Sequence, residues 1–213
     1  MSAIDAAVYL VTDTAMCGGP AGVVDTVRLA VAGGVTAVQV RDPSATTREL
    51  TALAVAVLEA LRGTGIPLII NDRADVALAV GAHGVHVGQR DLRPIDARRL
   101  IGPALHLGLS ISTERDLQEA IALPSGTVDL LGVGPIRPTP SKIDAAPALG
   151  FEELARMCRS ASIPCVAIGG LGIGDIPALK ATGVAGIAVI SAICGRDDPS
   201  GASRELIESW RSQ

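Results

Sequence analysis

The chain has 213 residues, of which 48% are hydrophobic, and its formal net charge is −4. This length is typical of one domain, and the hydrophobic fraction is sufficient for a large core. The negative charge argues against a nucleic-acid-binding surface. No apolar run approaches the roughly 18 residues of a membrane-spanning helix, and no secretory signal is visible. We therefore expect a cytoplasmic protein without nucleic-acid or membrane partners, and the sequence leaves open whether it forms a homo-oligomer.

Eight short apolar runs alternate with amphipathic stretches along the chain. In chain order, the predicted strands are Val8–Thr12, Ala37–Val40, Pro67–Ile70, Gly84–Val87, Leu105–Leu109, Leu130–Val133, Cys165–Ile168 and Gly186–Ile190. The predicted helices lie around Val23–Val31, Arg48–Arg62, Arg73–Val80, Pro94–Leu100, Glu114–Leu123, Phe151–Ser160, Asp175–Thr182 and Ser203–Arg211. Eight strict alternations of this kind are typical of a parallel α/β fold.

The positions of the glycine-rich turns distinguish a closed barrel from a doubly wound open sheet. An open nucleotide-binding sheet usually has a Gly-x-Gly-x-x-Gly turn after its first strand. Here that strand is followed by Thr12, Asp13 and Thr14. The glycine pair Gly169-Gly170 comes instead after the seventh strand, where barrel enzymes bind phosphate. We therefore predict a single α/β domain over residues 1–213, a (β/α)₈ TIM barrel.

Polar residues follow five successive predicted strands at their carboxyl ends, where a barrel has its active site. They are Gln39, Arg41, Asn71, Asp72, Arg73, His86, Asp91, Ser110, Thr139, Ser141 and Lys142. Asp72 and Asp91 are the metal candidates, because Mg²⁺ is commonly held by one or two carboxylates with phosphate oxygens and water. An equally weighted alternative is that Asp72 caps the third helix. His86 is expected to face inward and to support the site without acting as its base.

Two further segments have features that suit phosphate binding. Residues 134–142 read GPIRPTPSK, in which proline and glycine stiffen a loop that carries two hydroxyls and a lysine. Such donors suit a pyrophosphate, although a solvated loop is the alternative interpretation. Gly169 and Gly170 allow backbone N–H groups to approach a phosphate, and Ser191 offers a hydroxyl from the eighth strand. An ordinary tight turn is the alternative for the glycine pair.

These motifs together resemble the thiamine phosphate synthase and thiazole tautomerase family, and the resemblance covers nearly the whole chain. The matching stretches are YLVTD, VQVR, NDRADVAL, GVHVGQRD, GLS, GVGPIRPTPSK, VAIGGL and GIAVISAI. The family has the (β/α)₈ fold. Its synthases join hydroxymethylpyrimidine diphosphate to hydroxyethylthiazole phosphate and release pyrophosphate. The resemblance implies a Mg²⁺-dependent transferase whose partners are these two small molecules.

The resemblance also implies roles for individual residues. The residues expected to bind Mg²⁺ are Asp72 and Asp91. Those expected to contact the pyrophosphate are Arg41, Asn71 and Lys142. Those expected to face the pyrimidine are Gln39 and Ser110. Those expected around the thiazole phosphate are Thr139, Ser141, Gly170, Ile190 and Ser191. Among all these, the expected catalytic residues are Arg41, Ser110 and Lys142.

Three positions depart from the usual pattern of the family. Pro43 stands where a lysine is usual, so one cation towards the pyrophosphate is missing. Arg137 stands where an aromatic residue is frequent, and we hypothesise that its charge replaces the missing cation. Ser112 or a neighbour replaces a frequent histidine. Two alternatives to a synthase therefore stay open: a thiazole tautomerase-like paralogue, and a non-catalytic barrel that binds thiamine precursors or a protein partner. The retained Asp91 favours the synthase.

Overall fold

The computed structural model describes residues 4–139 and 146–212. Its eight strands form a closed parallel barrel in chain order. The strands are β1 (Val8–Val11), β2 (Ala37–Val40), β3 (Leu68–Asn71), β4 (Gly84–Val87), β5 (His106–Ile111), β6 (Leu130–Val133), β7 (Cys165–Ile168) and β8 (Gly186–Val189). The helices are α1 (Pro20–Ala32), α2 (Thr47–Ala60), α3 (Ala74–Val80), α4 (Pro94–Ile101), α5 (Glu114–Ile121), α6 (Gly150–Ser160), α7 (Ile176–Thr182) and α8 (Pro199–Arg211). The predicted (β/α)₈ barrel is confirmed. Among the described helices, none is long and apolar enough to cross a membrane.

The element ends differ from the sequence prediction where local hydrogen bonds extend an element. β3 continues to Asn71, so that Asp72 is the first residue of the loop that follows. α8 begins at Pro199, four residues before the predicted Ser203. The Asp198 side chain accepts a hydrogen bond from the Gly201 backbone N–H at 2.9 Å, and proline is favourable at the first helical position. The capping residue and the proline together start this helix early.

The strands are buried on both faces, which explains their nearly continuous apolar sequences. Outward-facing residues pack under the helices in the main core. Inward-facing residues form a second cluster inside the barrel. Within this second cluster, Tyr9 is fully enclosed, and its hydroxyl accepts a hydrogen bond from Gln39 Nε2 at 3.1 Å. The barrel interior is therefore filled by side chains, and Tyr9 itself lines the pocket described below.

The stability of the barrel is expected to depend on the protonation of His106, the first residue of β5. Its side chain is only 5% exposed. Burial lowers the pKa of His106 to about 4, although the Asp129 carboxylate, 3.9 Å away, opposes this shift. A histidine in the unfolded chain has a pKa of about 6.5. As the pH falls from 6.5 to 4, the unfolded chain therefore binds a proton that the folded protein does not, and stability is lost.

Urea unfolding of the wild type and a His106→Gln variant at pH 7.0 and pH 4.5 tests this dependence. Between these two pH values, we expect the wild type to lose about 2–3 kcal/mol more unfolding free energy than the variant. The comparison between the proteins cancels the carboxylates that they share. Equal losses in both proteins would show that His106 is protonated as readily in the fold as in the unfolded chain.

Candidate functional site

A pocket opens at the carboxyl ends of the strands and brings together residues that are distant in sequence. Those among them that were predicted for the site are Gln39, Arg41, Asn71, His86, Ser110, Thr139, Gly169, Gly170, Ile190 and Ser191. Apolar lining residues that sequence reasoning did not single out include Tyr9, Val11, Val166, Ile168 and Ala188. This second group could have been predicted from the strands themselves, because alternate side chains of each strand point into the barrel. Ser141 and Lys142 lie outside the described residues.

Asp72 and Asp91 form a carboxylate pair beside this pocket. Asn71, which lines the pocket, donates a hydrogen bond from Nδ2 to Asp72 Oδ2 at 2.7 Å. The Asp91 carboxyl group lies close enough to that of Asp72 to act directly on its protonation. Burial and the neighbouring Asp91 raise the pKa of Asp72 to about 7, while the positive charge of Arg41 opposes the rise. Two carboxylates held this close repel each other when both are ionised, and a bound cation relieves that repulsion.

The backbone at Asp72 adopts an uncommon conformation that directs its side chain. Among the described residues other than glycine, Asp72 alone has a positive φ, of 61°. This left-handed conformation is unfavourable for most residues and is best tolerated by Asp and Asn. Asp91 is held by a hydrogen bond from the Gly88 backbone N–H to its Oδ2 at 2.8 Å. Asp72 is thus held by Asn71 at the end of β3, and Asp91 by the backbone of its own loop.

The interpretation of Asp72 as a helix cap is wrong. The residue at the capping position of α3 is Arg73, and no side chain makes a capping hydrogen bond at this helix end. Arg73 instead donates from Nη2 to Asp75 Oδ2 at 2.6 Å and to Thr47 Oγ1 at 2.9 Å. Asp72 lies one residue before the capping position, and its carboxylate contacts Asn71 and Asp91.

Ser110 on β5 is supported by His86 on β4. The His86 Nε2 atom lies 2.9 Å from Ser110 Oγ, and both residues line the pocket. Two strand glycines make room for the imidazole ring, because a Cβ at Gly108 would lie 2.3 Å from His86 Nδ1, and one at Gly132 would lie 3.0 Å from Cε1. Sequence reasoning missed both glycines. The sequence feature that could have revealed them is a glycine within a buried strand, which often marks a place where another group approaches the backbone closely.

The glycine turn after β7 lies across the barrel from the carboxylate pair, because β3 and β7 are four strands apart in the closed sheet. Gly169 and Gly170 have φ values of 103° and 67°, which glycine adopts readily. A Cβ at Gly170 would lie 2.7 Å from the carbonyl oxygen of Pro138. Glycine is therefore required at position 170 both by the backbone conformation and by the adjacent loop. On the neighbouring strand end, Ser191 accepts a hydrogen bond through its backbone oxygen from Arg196 Nε at 3.1 Å.

Residues 8–193 of the chain match the model of a family described as thiamine monophosphate synthase. The chain belongs to this family. A thiamine-phosphate synthase of Desulfitobacterium hafniense (strain Y51) is 44% identical over 210 residues, which are 99% of this chain and 100% of that protein. A thiamine-phosphate synthase of Vibrio parahaemolyticus serotype O3:K6 is 50% identical over 181 residues, which are 85% of this chain and 87% of that protein.

One solved structure agrees with the family assignment, and a second shares the fold. A thiamine phosphate pyrophosphorylase from Pyrococcus furiosus matches with a TM-score of 0.85 and 33% identity, and the match covers 98% of each chain. A 3-hexulose-6-phosphate synthase matches with a TM-score of 0.72 and covers 95% of this chain and 99% of that one. At 17% identity, this second match concerns the fold alone.

The donor atoms at the carboxylate pair suit a hard divalent cation. Within residues 4–139 and 146–212, no cluster of three or more His, Cys, Asp or Glu side chains surrounds a common metal position. Among the described residues, a metal at this position would therefore have at most two carboxylate ligands, from Asp72 and Asp91. Mg²⁺ is usually bound by one or two carboxylates, with substrate phosphate oxygens and waters as its remaining ligands. The pair fits a metal that binds together with a phosphorylated substrate.

Arg137, one of the departures from the family pattern, has its charge neutralised within the protein. The Nε and Nη2 atoms of Arg137 both donate to Asp175 Oδ1, at 2.9 and 2.7 Å. The Arg137 guanidinium also lies over the Phe151 ring, 5.2 Å from the ring centre. The structure therefore does not support the hypothesis that Arg137 replaces the cation missing at Pro43.

Proposed function

We propose that this member of the family is a thiamine-phosphate synthase, a transferase that uses Mg²⁺. It joins hydroxymethylpyrimidine diphosphate to hydroxyethylthiazole phosphate and releases pyrophosphate. The observation that carries the proposal is the contact between Asp72 and Asp91 beside a pocket whose opposite side contains the Gly169-Gly170 turn. Two such features on opposite sides suit two phosphorylated substrates. The names of the relatives support the same reaction.

The pyrophosphate is assigned to the side of the pocket formed by β2 and β3. Arg41, Asn71 and Lys142 are proposed to contact it. The backbone N–H of Arg41 donates to Thr12 Oγ1 at 3.1 Å, which fixes the start of this loop at the strand end. When bound at Asp72 and the neighbouring carboxylate, Mg²⁺ supplies positive charge that offsets the charge developing on the leaving pyrophosphate. Lys142, outside the described residues, is proposed as a second protein cation.

The pyrimidine is assigned to Gln39 and Ser110 at the centre of the pocket. Gln39 is held by its hydrogen bond to Tyr9, and Ser110 by its contact with His86. Departure of pyrophosphate leaves a pyrimidine methylene cation that the amino substituent of the ring stabilises by resonance. The protein then has to orient the ring and neutralise the leaving group, and it needs neither a strong base nor a nucleophile. Side chains that are fixed before the substrate binds suit this task.

The thiazole phosphate is assigned to the side formed by β6, β7 and β8. The proposed contacts are Thr139, Ser141, Gly170, Ile190 and Ser191. The absent side chain at Gly170 allows a phosphate to approach the backbone N–H, and hydroxyl groups supply further donors. Binding there holds the thiazole nitrogen in line with the pyrimidine methylene carbon, so the two substrates react as if in a single molecule.

Pyrophosphate release by the purified protein tests the proposal directly. We expect release to require both substrates and Mg²⁺, to stop when EDTA is added, and to resume when Mg²⁺ is restored in excess. Release without thiazole phosphate would instead indicate a diphosphate hydrolase. A folded protein that releases none would favour a thiazole tautomerase-like paralogue or a barrel that only binds thiamine precursors. The cytoplasmic location remains a prediction.

A further inference from the structure

We propose that Arg137 and Asp175 are positioning residues for the thiazole phosphate. Their ion pair, called here the loop ion pair, holds residues 134–138, the stem of the β6–α6 loop, against the glycine turn after β7. It thereby fixes Thr139, two residues beyond Arg137, relative to Gly170. The inference rests on the proposed function, specifically on the assignment of the thiazole phosphate to Thr139 and Gly170.

One carboxylate connects the two loops. Oδ1 of Asp175 accepts both hydrogen bonds from Arg137, whereas Oδ2 accepts one from the Gly172 backbone N–H at 3.0 Å. The Asp175 side chain is 13% exposed, and that of Arg137 is 51% exposed. The guanidinium also covers the ring of Phe151 in the first turn of α6. The loop ion pair therefore joins the stem of the β6–α6 loop, the start of α6 and the β7–α7 turn.

Backbone contacts show that the two loops fit closely at this point. The N–H of Ile136 donates to the Ile168 carbonyl, and the N–H of Arg137 donates to the Gly169 carbonyl, both at 3.0 Å. The pairing of β6 with β7 thus continues beyond both strands. A Cβ at Gly170 would lie 2.8 Å from Arg137 Cβ, so the loop stem lies directly against the glycine turn. Thr139 lines the pocket immediately after this stem.

The position of the loop ion pair predicts an effect on substrate affinity. A half-exposed ion pair contributes little to global stability. A loop that is already ordered, however, loses less conformational freedom when substrate binds to it. Loss of the pair should therefore raise KM for the substrate that contacts the loop and change kcat little. The pyrimidine diphosphate is assigned to the other side of the pocket, so its KM should be unaffected.

Steady-state kinetics of pyrophosphate release tests this inference with Arg137→Ala, Asp175→Asn and the double variant. Each single variant is expected to raise KM for thiazole phosphate about 10-fold, with kcat and KM for the pyrimidine diphosphate within about twofold of wild type. The double variant should again show about 10-fold, since both changes remove the same interaction. Arg137→Lys, which keeps the charge without the planar donor pair, should fall between wild type and Arg137→Ala.

Arg115→Ala is the matched control, because Arg115 forms an exposed pair with Glu119 at 2.7 Å on α5. Both KM values should stay unchanged in this variant. An unchanged KM for thiazole phosphate in Arg137→Ala would overturn the inference. So would a double variant in which the KM increases of the two single variants multiply. It would equally be overturned if Arg137→Ala lowered kcat and raised KM for the pyrimidine diphosphate while Asp175→Asn did neither, because Arg137 would then serve the pyrophosphate.

Thr139→Ala separates this inference from the proposed function on which it rests. If Thr139→Ala leaves KM for thiazole phosphate unchanged, the phosphate has been assigned to the wrong residue and the inference fails with that assignment. If Thr139→Ala raises KM and Arg137→Ala does not, the assignment stands and only the loop ion pair is refuted. Thermal unfolding of each variant verifies that it is folded, and the isosteric Asp175→Asn change provides the mildest test.

Discussion

The Asp72→Asn and Asp91→Asn variants are expected to lose about 1,000-fold in kcat/KM for pyrophosphate release. Each change removes one of the two carboxylates proposed to bind Mg²⁺, and asparagine keeps the size of the side chain. The pyrophosphate would then leave with less of its charge offset. Raising the Mg²⁺ concentration should recover part of the activity, because the remaining carboxylate still binds the metal weakly.

Stability should change in the opposite direction from activity. In the metal-free protein, burial and Asp91 raise the pKa of Asp72 to about 7, which means that the fold disfavours the ionised carboxylate. At pH 8 the Asp72→Asn variant removes this unfavourable charge, so its free energy of unfolding without metal should be higher than that of the wild type. Urea unfolding in EDTA measures this difference. A variant that is both inactive and less stable would indicate a structural role for Asp72.

Asp75→Asn is the matched control for both variants. Asp75 lies in the first turn of α3, and its carboxylate pairs with Arg73 at 2.6 Å, away from the carboxylate pair. Its replacement should leave kcat/KM and the Mg²⁺ dependence unchanged. If a folded Asp91→Asn variant also kept both, the metal assignment would have to be abandoned.

The barrel could be predicted because its signal is repeated eight times. Each apolar run alone is ambiguous, but strict alternation with amphipathic stretches leaves few parallel folds, and the position of Gly169-Gly170 favours the closed one. The polar residues at the strand ends were predictable for the same reason. Carboxyl ends of parallel strands meet at one face, so Arg41, Asn71 and Ser110 line one pocket although they are far apart in sequence.

Contacts between loops could not be predicted, because they depend on backbone conformation and on partners distant in sequence. In the sequence, the position of Asp72 is compatible with both a metal ligand and a helix cap. The structure excludes the helix cap, because Asp72 has a left-handed backbone and Arg73 occupies the capping position. Arg137 finds its partner 38 residues away at Asp175. From the sequence alone its charge suited the pyrophosphate, since nothing local indicated the carboxylate that neutralises it.

Gly170→Ala is expected to reduce kcat/KM for thiazole phosphate about 100-fold while leaving KM for the pyrimidine diphosphate nearly unchanged. A φ of 67° is unfavourable for alanine, and its Cβ would lie 2.7 Å from the Pro138 carbonyl oxygen. This contact is with backbone, so relief requires movement of the glycine turn or of the loop that carries Thr139. Either movement changes the proposed phosphate site on this side of the pocket only.

Gly174→Ala is the matched control within the same turn, because a Cβ at Gly174 would meet no atom within 4 Å and its φ is not positive. This variant should keep wild-type values for both substrates. Steady-state kinetics of the two variants side by side therefore separates the close contact at Gly170 from a general effect of losing a glycine. Equal losses in both variants would mean that flexibility of the turn matters more than room for the phosphate. Normal thiazole phosphate kinetics in Gly170→Ala would remove that phosphate from the turn after β7.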